Sequence, residues 1–141
     1  MLIGSRQRLS VQSDDVEIRI DDQVIKRVDH TKSLGLTIDD HLSWGKHVEE
    51  ICKKTSSAIS ALIRVWPFIS KETATQIYYA LIPHFFYCGP VWDCLSCYLS
   101  DNLQKEQNRA ARVITKLPFD TSSNHLLSIL DWERLYLRRK K

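Results

Sequence analysis

The stretch DNLQKEQNRAARVITKL, residues 101–117, predicts a long amphipathic helix and so decides the fold class. Apolar residues recur in it at intervals of three and four, which places them on one face of a helix. Asp101 or Ser100 is the predicted N-cap. Pro118 marks the end, because the residue before a proline disfavours the helical conformation. The residues predicted to face the core are Leu103, Ala110, Val113, Ile114 and Leu117.

The same helix carries four cations spaced by four, three and four residues, a spacing that lines them along one face. They are Lys105, Arg109, Arg112 and Lys116. A helix of this kind can pack on a domain through its apolar face while its cations contact phosphates. Gln104 and Asn108 lie nearby and could add hydrogen bonds to sugars or phosphates. A solvated helical face is the alternative interpretation of the same pattern.

Two further helices are predicted upstream of this one. Ser43 is the predicted N-cap of the first, whose apolar stripe runs from Val48 to Trp66 until Pro67 stops it. Ser70 caps the second, which Pro83 should kink or end. Downstream, residues 120–123 have turn and capping chemistry, and short helices are predicted around residues 126–130 and from residue 132 to the basic end.

Residues 1–38 are predicted to form strands, starting with the first residues of the chain. Val16, Ile18 and Ile20 alternate with charged residues, the pattern of a half-buried strand. A turn follows at residues 21–22, a second strand at residues 24–28 and a third at residues 34–38, where Gly35 allows a bulge. The predicted fold is therefore α+β and mostly α. A small antiparallel sheet in residues 1–38 precedes a helical bundle in residues 39–141.

Composition and charge limit the classes of protein that fit. Apolar residues make up 43% of the 141 residues, enough for a packed core, and no run of about 18 apolar residues predicts a membrane span. Residues 1–101 carry 11 Lys and Arg against 13 Asp and Glu, whereas residues 102–141 carry nine against four. A basic end on a near-neutral body favours a polyanionic partner. Four cysteines without a secretory signal indicate reduced thiols and an intracellular protein.

No catalytic constellation is evident in the sequence. The Asp pairs at residues 14–15, 21–22 and 39–40 do not follow an aromatic-x pair as in polymerases, and turns and capping explain them. Neither a nucleophile motif nor a glycine-rich phosphate loop is present. Cys94 and Cys97, with His84 and Cys88 upstream, have ligand types that suit Zn²⁺, but their compressed spacing favours free thiols. We therefore expect no catalytic residue, cofactor or metal in this stretch.

Three motifs resemble the C-terminal, thumb region of non-LTR (LINE-type, jockey-like) retrotransposon reverse transcriptases. KSLGLTID at residues 32–39, with LSWGKHV at residues 42–48, is similar to the stretch that follows the palm in that family. YAL at residues 79–81, PHF at residues 83–85 and YCGPVW at residues 87–92 are similar to a second. QNRAARVI at residues 107–114 is similar to a third. The motifs occur in the family's order and cover nearly the whole chain.

The resemblance implies residual palm strands in residues 1–38 and a thumb in residues 39–141. Leu34, Gly35 and Leu36 would resemble the primer-grip strand, and the four cations would contact the phosphates of an RNA or DNA duplex. The aromatic-x-Asp-Asp motif that holds Mg²⁺ in the parent polymerase, and the rest of its palm and fingers, are not in this stretch, so we expect no catalysis by it alone. Glu106 replaces a usually apolar residue, one of several departures typical of a degraded copy. The alternatives are a helical protein-interaction module, a zinc-stabilised domain and a relic without function.

Overall fold

The structure, a computed structural model, describes residues 1–11, 17–82 and 87–139. Its contacts divide the chain into two compact units, Met1–His47 and Val48–Lys141. The fold is α+β and mostly helical, which confirms the predicted class. The predicted boundary at residue 38 lies inside the first unit. None of the described helices combines the length and the apolar character that crossing a membrane would require.

The first unit holds one short helix and two two-stranded antiparallel sheets in its described residues. Their bounds are α1 Arg6–Val11, β1 Arg19–Ile20, β2 Gln23–Val24, β3 His30–Ser33 and β4 Leu36–Asp39. The expectation of a strand at the start of the chain was wrong. Ser5 accepts a hydrogen bond from the backbone N–H of Arg8 at 3.4 Å, and the helix that follows buries Leu9. Val16 lies outside the described residues.

Both sheets are hairpins closed by two residues in the left-handed region. The turn predicted at Asp21 and Asp22 is confirmed, with φ of 47° and 61°. Leu34 and Gly35, with φ of 48° and 83°, connect β3 to β4. Two positive φ values match the twist of a hairpin, whereas a continuous strand needs none. The strand predicted to start at residue 34 therefore starts at Leu36.

From Gly45 onward the described chain is helical. The elements are α2 Gly45–Val65, a 3₁₀ turn Trp66–Phe68, α3 Lys71–Leu81, α4 Gly89–Trp92, α5 Cys97–Thr115, α6 Ser123–Ile129 and α7 Leu135–Arg139. Ser70 caps α3 as predicted, since its side chain accepts from the backbone N–H of Thr73 at 3.2 Å. Pro83, the predicted stop of this helix, lies outside the described residues.

The central helix, α5, begins one turn earlier than predicted. Its N-cap is Ser96, whose hydroxyl accepts from the backbone N–H of Leu99 at 3.4 Å, and neither Ser100 nor Asp101 caps it. Residues 97–100 contain no helix breaker, so the helix extends back to Cys97 and the earlier serine, Ser96, becomes its N-cap. The last helical residue is Thr115, and Lys116 after it adopts the left-handed conformation and donates its backbone N–H to the carbonyl of Arg112 at 3.0 Å.

One side of α5 forms the centre of the second unit's core, where it meets α3, α6 and α7. The buried residues on this side are Leu103, Gln107, Ala110, Ala111 and Ile114. Around them lie Tyr78 and Trp132, whose rings stack with centroids 4.1 Å apart, and the fully buried Trp92. Because this side of α5 is fixed in the core, the opposite side is held in a defined orientation at the surface.

Candidate nucleic-acid interface

The cations of α5 lie opposite its buried side. At 3.6 residues per turn, positions 105, 109 and 112 fall within about 60° of one another, and the buried positions centre on the far side. Lys105 and Arg109 are exposed, and Arg112 is half-buried. Lys116 is exposed and follows directly after the last helical residue. The structure therefore brings the four predicted cations to one side of one element.

Arg109 is anchored to the neighbouring helix. Its guanidinium donates a hydrogen bond to the hydroxyl of Ser56 on α2 and lies 3.9 Å from the carboxylate of Glu106. Even so, 45% of its side chain stays exposed. The hydroxyl partner is neutral, and 3.9 Å is too long for a hydrogen bond to the carboxylate. The guanidinium is thus positioned but only weakly neutralised.

Arg112 is held by the loop that follows α5. Its Nη2 donates to the backbone carbonyl of Thr121 at 3.4 Å, and its Cζ lies 5.0 Å from the centroid of the Phe119 ring. The Nε atom is buried without a hydrogen-bond partner in the described part of the chain. A carbonyl and an aromatic ring orient a guanidinium without cancelling its charge.

Lys116 closes the same end of the helix against Trp66. Its Nζ lies 4.0 Å from the centroid of the indole ring. The indole N–H donates to the carbonyl of Val113, one of the last-turn carbonyls that a helix end leaves without an internal donor. This bond fixes the ring against which the ammonium lies, and so it also helps to position the Lys116 side chain.

Glu106 is the acidic residue of α5 that lies closest to the cations. Its side chain is only 19% exposed, and burial raises the pKa of the carboxyl although the nearby Arg109 opposes that rise. Glu106, which departs from the usually apolar residue of the resembled motif, thus places a poorly solvated carboxylate beside the basic face formed by Lys105, Arg109, Arg112 and Lys116.

Gln104 and Asn108, the predicted helpers at sugars or phosphates, are engaged within the chain. Gln104 accepts from the backbone N–H of Leu135 at 3.0 Å and donates to Asn108 at 3.0 Å and to Gln107 at 2.6 Å. Gln107 in turn donates to the carbonyl of Glu133 at 3.0 Å. Sequence reasoning missed Gln107, although a polar residue in the middle of the apolar stripe was the available signal.

The primer-grip-like residues belong to a hairpin of the first unit. Leu34 and Gly35 form the tip of the turn, and the Leu34 side chain is 86% exposed. Leu36 opens β4 and is buried. The three residues are therefore divided between an exposed hairpin tip and a buried strand position.

The candidate metal ligands do not converge in the described residues. Cys94 and Cys97 are exposed free thiols, and Cys88 is a half-buried one. No group of three His, Cys, Asp or Glu side chains with metal-binding geometry occurs within residues 1–11, 17–82 and 87–139. His84, the remaining candidate, lies outside those ranges, as do Asp14 and Asp15.

Of the other Asp pairs, Asp21 and Asp22 form a hairpin tip and Asp39 organises a loop. The Asp39 carboxylate accepts from the backbone N–H groups of Ser43 at 2.8 Å and Trp44 at 3.1 Å, and from the Ser43 hydroxyl. This is the turn and capping role that the sequence predicted for these residues.

Comparisons of the chain with protein-family models, with curated proteins and with solved structures give no match. The assignment to the reverse transcriptases therefore stays a prediction from the three sequence motifs.

Proposed function

We propose that the chain binds the phosphate backbone of a nucleic-acid duplex through Lys105, Arg109, Arg112 and Lys116, as the thumb segment of a non-LTR retrotransposon reverse transcriptase. The observation that carries the proposal is the chemistry of their partners. Arg109, Arg112 and Lys116 are oriented by a hydroxyl, a carbonyl and aromatic rings, and not by hydrogen-bonded carboxylates. Their positive charge remains available for a polyanion.

Pre-organisation adds to the charge. Ordering a long cationic side chain costs about 0.5–1.5 kcal/mol when it binds, and the contacts of Arg109 and Lys116 meet part of that cost beforehand. A merely solvated face gains nothing from such tethers. Fixed cations at successive helical turns suit the regular spacing of phosphates along a strand.

Within a polymerase, this segment would bind the duplex and would not take part in catalysis. The paired carboxylates that hold Mg²⁺, and the palm and fingers that carry them, would come from elsewhere in the enzyme. The hairpin tip at Leu34 and Gly35 would take the primer-grip position beside the duplex. The setting that this function implies is intracellular, where an element's RNA is copied.

The salt dependence of binding tests the proposal. A fluorescent RNA–DNA hybrid is titrated with the chain at several salt concentrations, and log K is plotted against log[salt]. Replacing Lys105 and Arg109 by Gln should flatten the slope by about 1.8, because each lost phosphate contact contributes about 0.9. The matched control replaces Lys54 and Arg64, two exposed cations of α2, and should leave the slope unchanged. Equal slopes for the two double variants would refute the proposed interface.

A helical protein-interaction module is the second candidate function. Phe68 and Phe119 are 86% and 88% exposed, and exposed aromatic rings are frequent anchors of protein interfaces. A folded chain without affinity for any duplex at low salt would favour this candidate over the first.

A further inference from the structure

An open groove of about 500 Å³ lies between the ends of α2 and α5, near Arg112 and Lys116. Its lining is mostly apolar and also includes two cations; the apolar residues are Ile63, Trp66, Pro67, Val113 and Leu117, and the cations are Arg112 and Lys116. No described acidic side chain lines it. A volume of this size is in the range of small-molecule sites, and its lining combines apolar and cationic side chains.

The aromatic wall of the groove is rigid and accessible. The bond from the Trp66 indole N–H to the Val113 carbonyl fixes the ring. Trp66 is half-buried, whereas the other three tryptophans, which all lie in the described ranges, are buried. A fixed ring that contacts solvent offers an apolar contact surface at little entropic cost, and the Lys116 ammonium lies over one of its faces.

Aromatic rings pair with cations twice, once in the groove and once beside it. Lys116 lies over Trp66, and Arg112 also contacts Phe119, whose ring is 88% exposed and does not itself line the groove. Alternation of aromatic rings and cations is the arrangement by which proteins hold single-stranded nucleic acid, since bases stack on rings while cations neutralise phosphates. An acidic peptide could pair with the cations, but it gains less than a nucleotide from contact with the half-buried Trp66 ring and the exposed Phe119 ring.

We propose that this groove binds one unpaired nucleotide, with its base against Ile63 and Trp66 and its phosphate at Arg112 and Lys116. The inference rests on the proposed function, because Arg112 and Lys116 belong to both sites. A strand that leaves the gripped duplex would therefore place its first unpaired base in the groove. The chain then distinguishes a duplex with a single-stranded extension from a blunt one.

Three probes test the site by fluorescence anisotropy at low salt: a blunt RNA–DNA hybrid, the same hybrid with a single-stranded DNA overhang, and the same hybrid with an abasic overhang. The natural overhang should bind at least about fivefold tighter than the blunt hybrid, the gain from stacking one base on an aromatic surface. The abasic overhang should show no such gain. Its sugar–phosphate backbone controls for added charge.

The decisive variant is Ile63→Asn, which makes the groove wall polar. Ile63 is 46% exposed and carries no charge, so the variant should fold and keep the affinity for the blunt hybrid within about twofold. Its overhang preference should disappear. The matched control is Ile129→Asn on α6, which is 39% exposed and does not line the groove, and which should retain the preference.

Each other result overturns the site in a distinguishable way. Equal affinity for blunt and overhanging hybrids, an equal gain from the abasic overhang, or a preference that survives Ile63→Asn excludes a base in the groove while leaving the duplex interface intact. Absence of any hybrid binding by the folded chain refutes the proposed function. In that case adenosine monophosphate is titrated into the chain and into its Ile63→Asn variant, and tryptophan fluorescence is followed. Quenching in the wild type that the variant lacks supports the nucleotide site, and absence of quenching overturns it. Ile63-dependent binding of a Phe-containing acidic peptide, without nucleotide binding, would assign the groove to a protein partner.

Discussion

The side-chain amide of Gln107 donates a hydrogen bond of 3.0 Å to the backbone carbonyl of Glu133. Gln107 is completely buried, and its own oxygen accepts from Gln104 at 2.6 Å. Gln104 also accepts from the backbone N–H of Leu135. The side-chain amides of Gln104 and Gln107, on adjacent turns of α5, thus bind backbone groups at the start of α7 and just before it. These hydrogen bonds fix the buried side of α5. They therefore also fix the orientation of the opposite side, which carries Lys105, Arg109 and Arg112.

Gln107→Leu should destabilise the fold by about 1–3 kcal/mol, since it removes two part-buried hydrogen bonds, one to the Glu133 carbonyl and one from the Gln104 amide. The free energy of unfolding from urea titration measures the loss. Asn102→Ala, on the same helix and half-buried, is the control and should cost less than about 0.5 kcal/mol. Equal effects of the two substitutions would show that these hydrogen bonds add nothing.

The sequence predicted α5 well, because a long periodic pattern of apolar residues is a strong signal of a helix. It did not predict the role of Gln107. The pattern shows which face is buried but not which backbone groups will meet it, and Glu133 lies 26 residues further along the chain. The four cations were predicted for the same reason that the helix was, whereas their partners Ser56, Thr121 and Trp66 depend on tertiary packing.

The sequence predicted the hairpins of the first unit less well than it predicted α5. β3 was missed because all four of its residues are exposed and no alternation reveals it. The turn at residues 34–35 was assigned to a strand, because Leu34 is apolar and the left-handed conformation of a non-glycine residue leaves no mark in an apolar pattern. Asp21 and Asp22 were assigned correctly, since aspartate is one of the residue types that tolerate that conformation.

A buried ion pair should make Asp93 important for stability. The Arg139 side chain is 3% exposed, and its Nε donates to the Asp93 carboxylate at 3.2 Å while its Nη2 donates to Ser100 at 2.9 Å. Asp93→Ala leaves a buried guanidinium without its counter-charge, which typically costs about 3–5 kcal/mol. The 29% exposure of Asp93 places the expected loss at the lower end of that range.

A double-mutant cycle separates the pair from its surroundings. Arg139→Met should cost less than Asp93→Ala, because the apolar chain still packs on Trp92, and the double variant should resemble Arg139→Met alone. Additive losses measured by urea unfolding would contradict the coupling of Asp93 to Arg139.

Asp39 should contribute pH-dependent stability to the first unit. Burial opposes its ionisation, but hydrogen bonds from the Ser43 hydroxyl and from the backbone N–H groups of Trp44 and Ser43 outweigh burial and lower the pKa of the carboxyl below 3.8. A lowered pKa in the folded state means stability that is present above the unfolded value and lost as the pH falls through the folded one. Asp39→Asn should cost about 1 kcal/mol at neutral pH, because hydrogen bonds to a charged group are stronger than those to a neutral one, and this difference should shrink as the pH falls below 3.8.

Asp22→Asn provides the control for Asp39→Asn. It removes the same charge in the same unit at an exposed turn whose left-handed conformation Asn tolerates, so it should change stability by less than about 0.5 kcal/mol at either pH. Chemical unfolding followed at neutral and acidic pH measures both. A loss for Asp39→Asn that does not depend on pH would exclude the carboxylate as its source.

Glu106 should destabilise the folded chain at neutral pH, and it lies beside Arg109, one of the proposed phosphate contacts. Its Oε2 is buried without a hydrogen bond, and burial raises the pKa of the carboxyl above its ordinary value of 4.5. The folded state therefore holds the proton more tightly than the unfolded state, and stability falls as the pH rises through and above 4.5. Glu106→Leu should raise the free energy of unfolding by about 1 kcal/mol at neutral pH.

The gain from Glu106→Leu should shrink below pH 4.5, where the wild-type carboxyl is protonated in both states. Glu106→Gln separates charge from polarity: it removes the charge, keeps a buried polar group and should recover only part of the gain. The leucine substitution also removes the carboxylate nearest to Arg109, so hybrid affinity should rise while the salt slope stays the same or steepens. If Glu106→Leu instead lowered stability at neutral pH, the ion pair with Arg109 at 3.9 Å would outweigh the cost of burial.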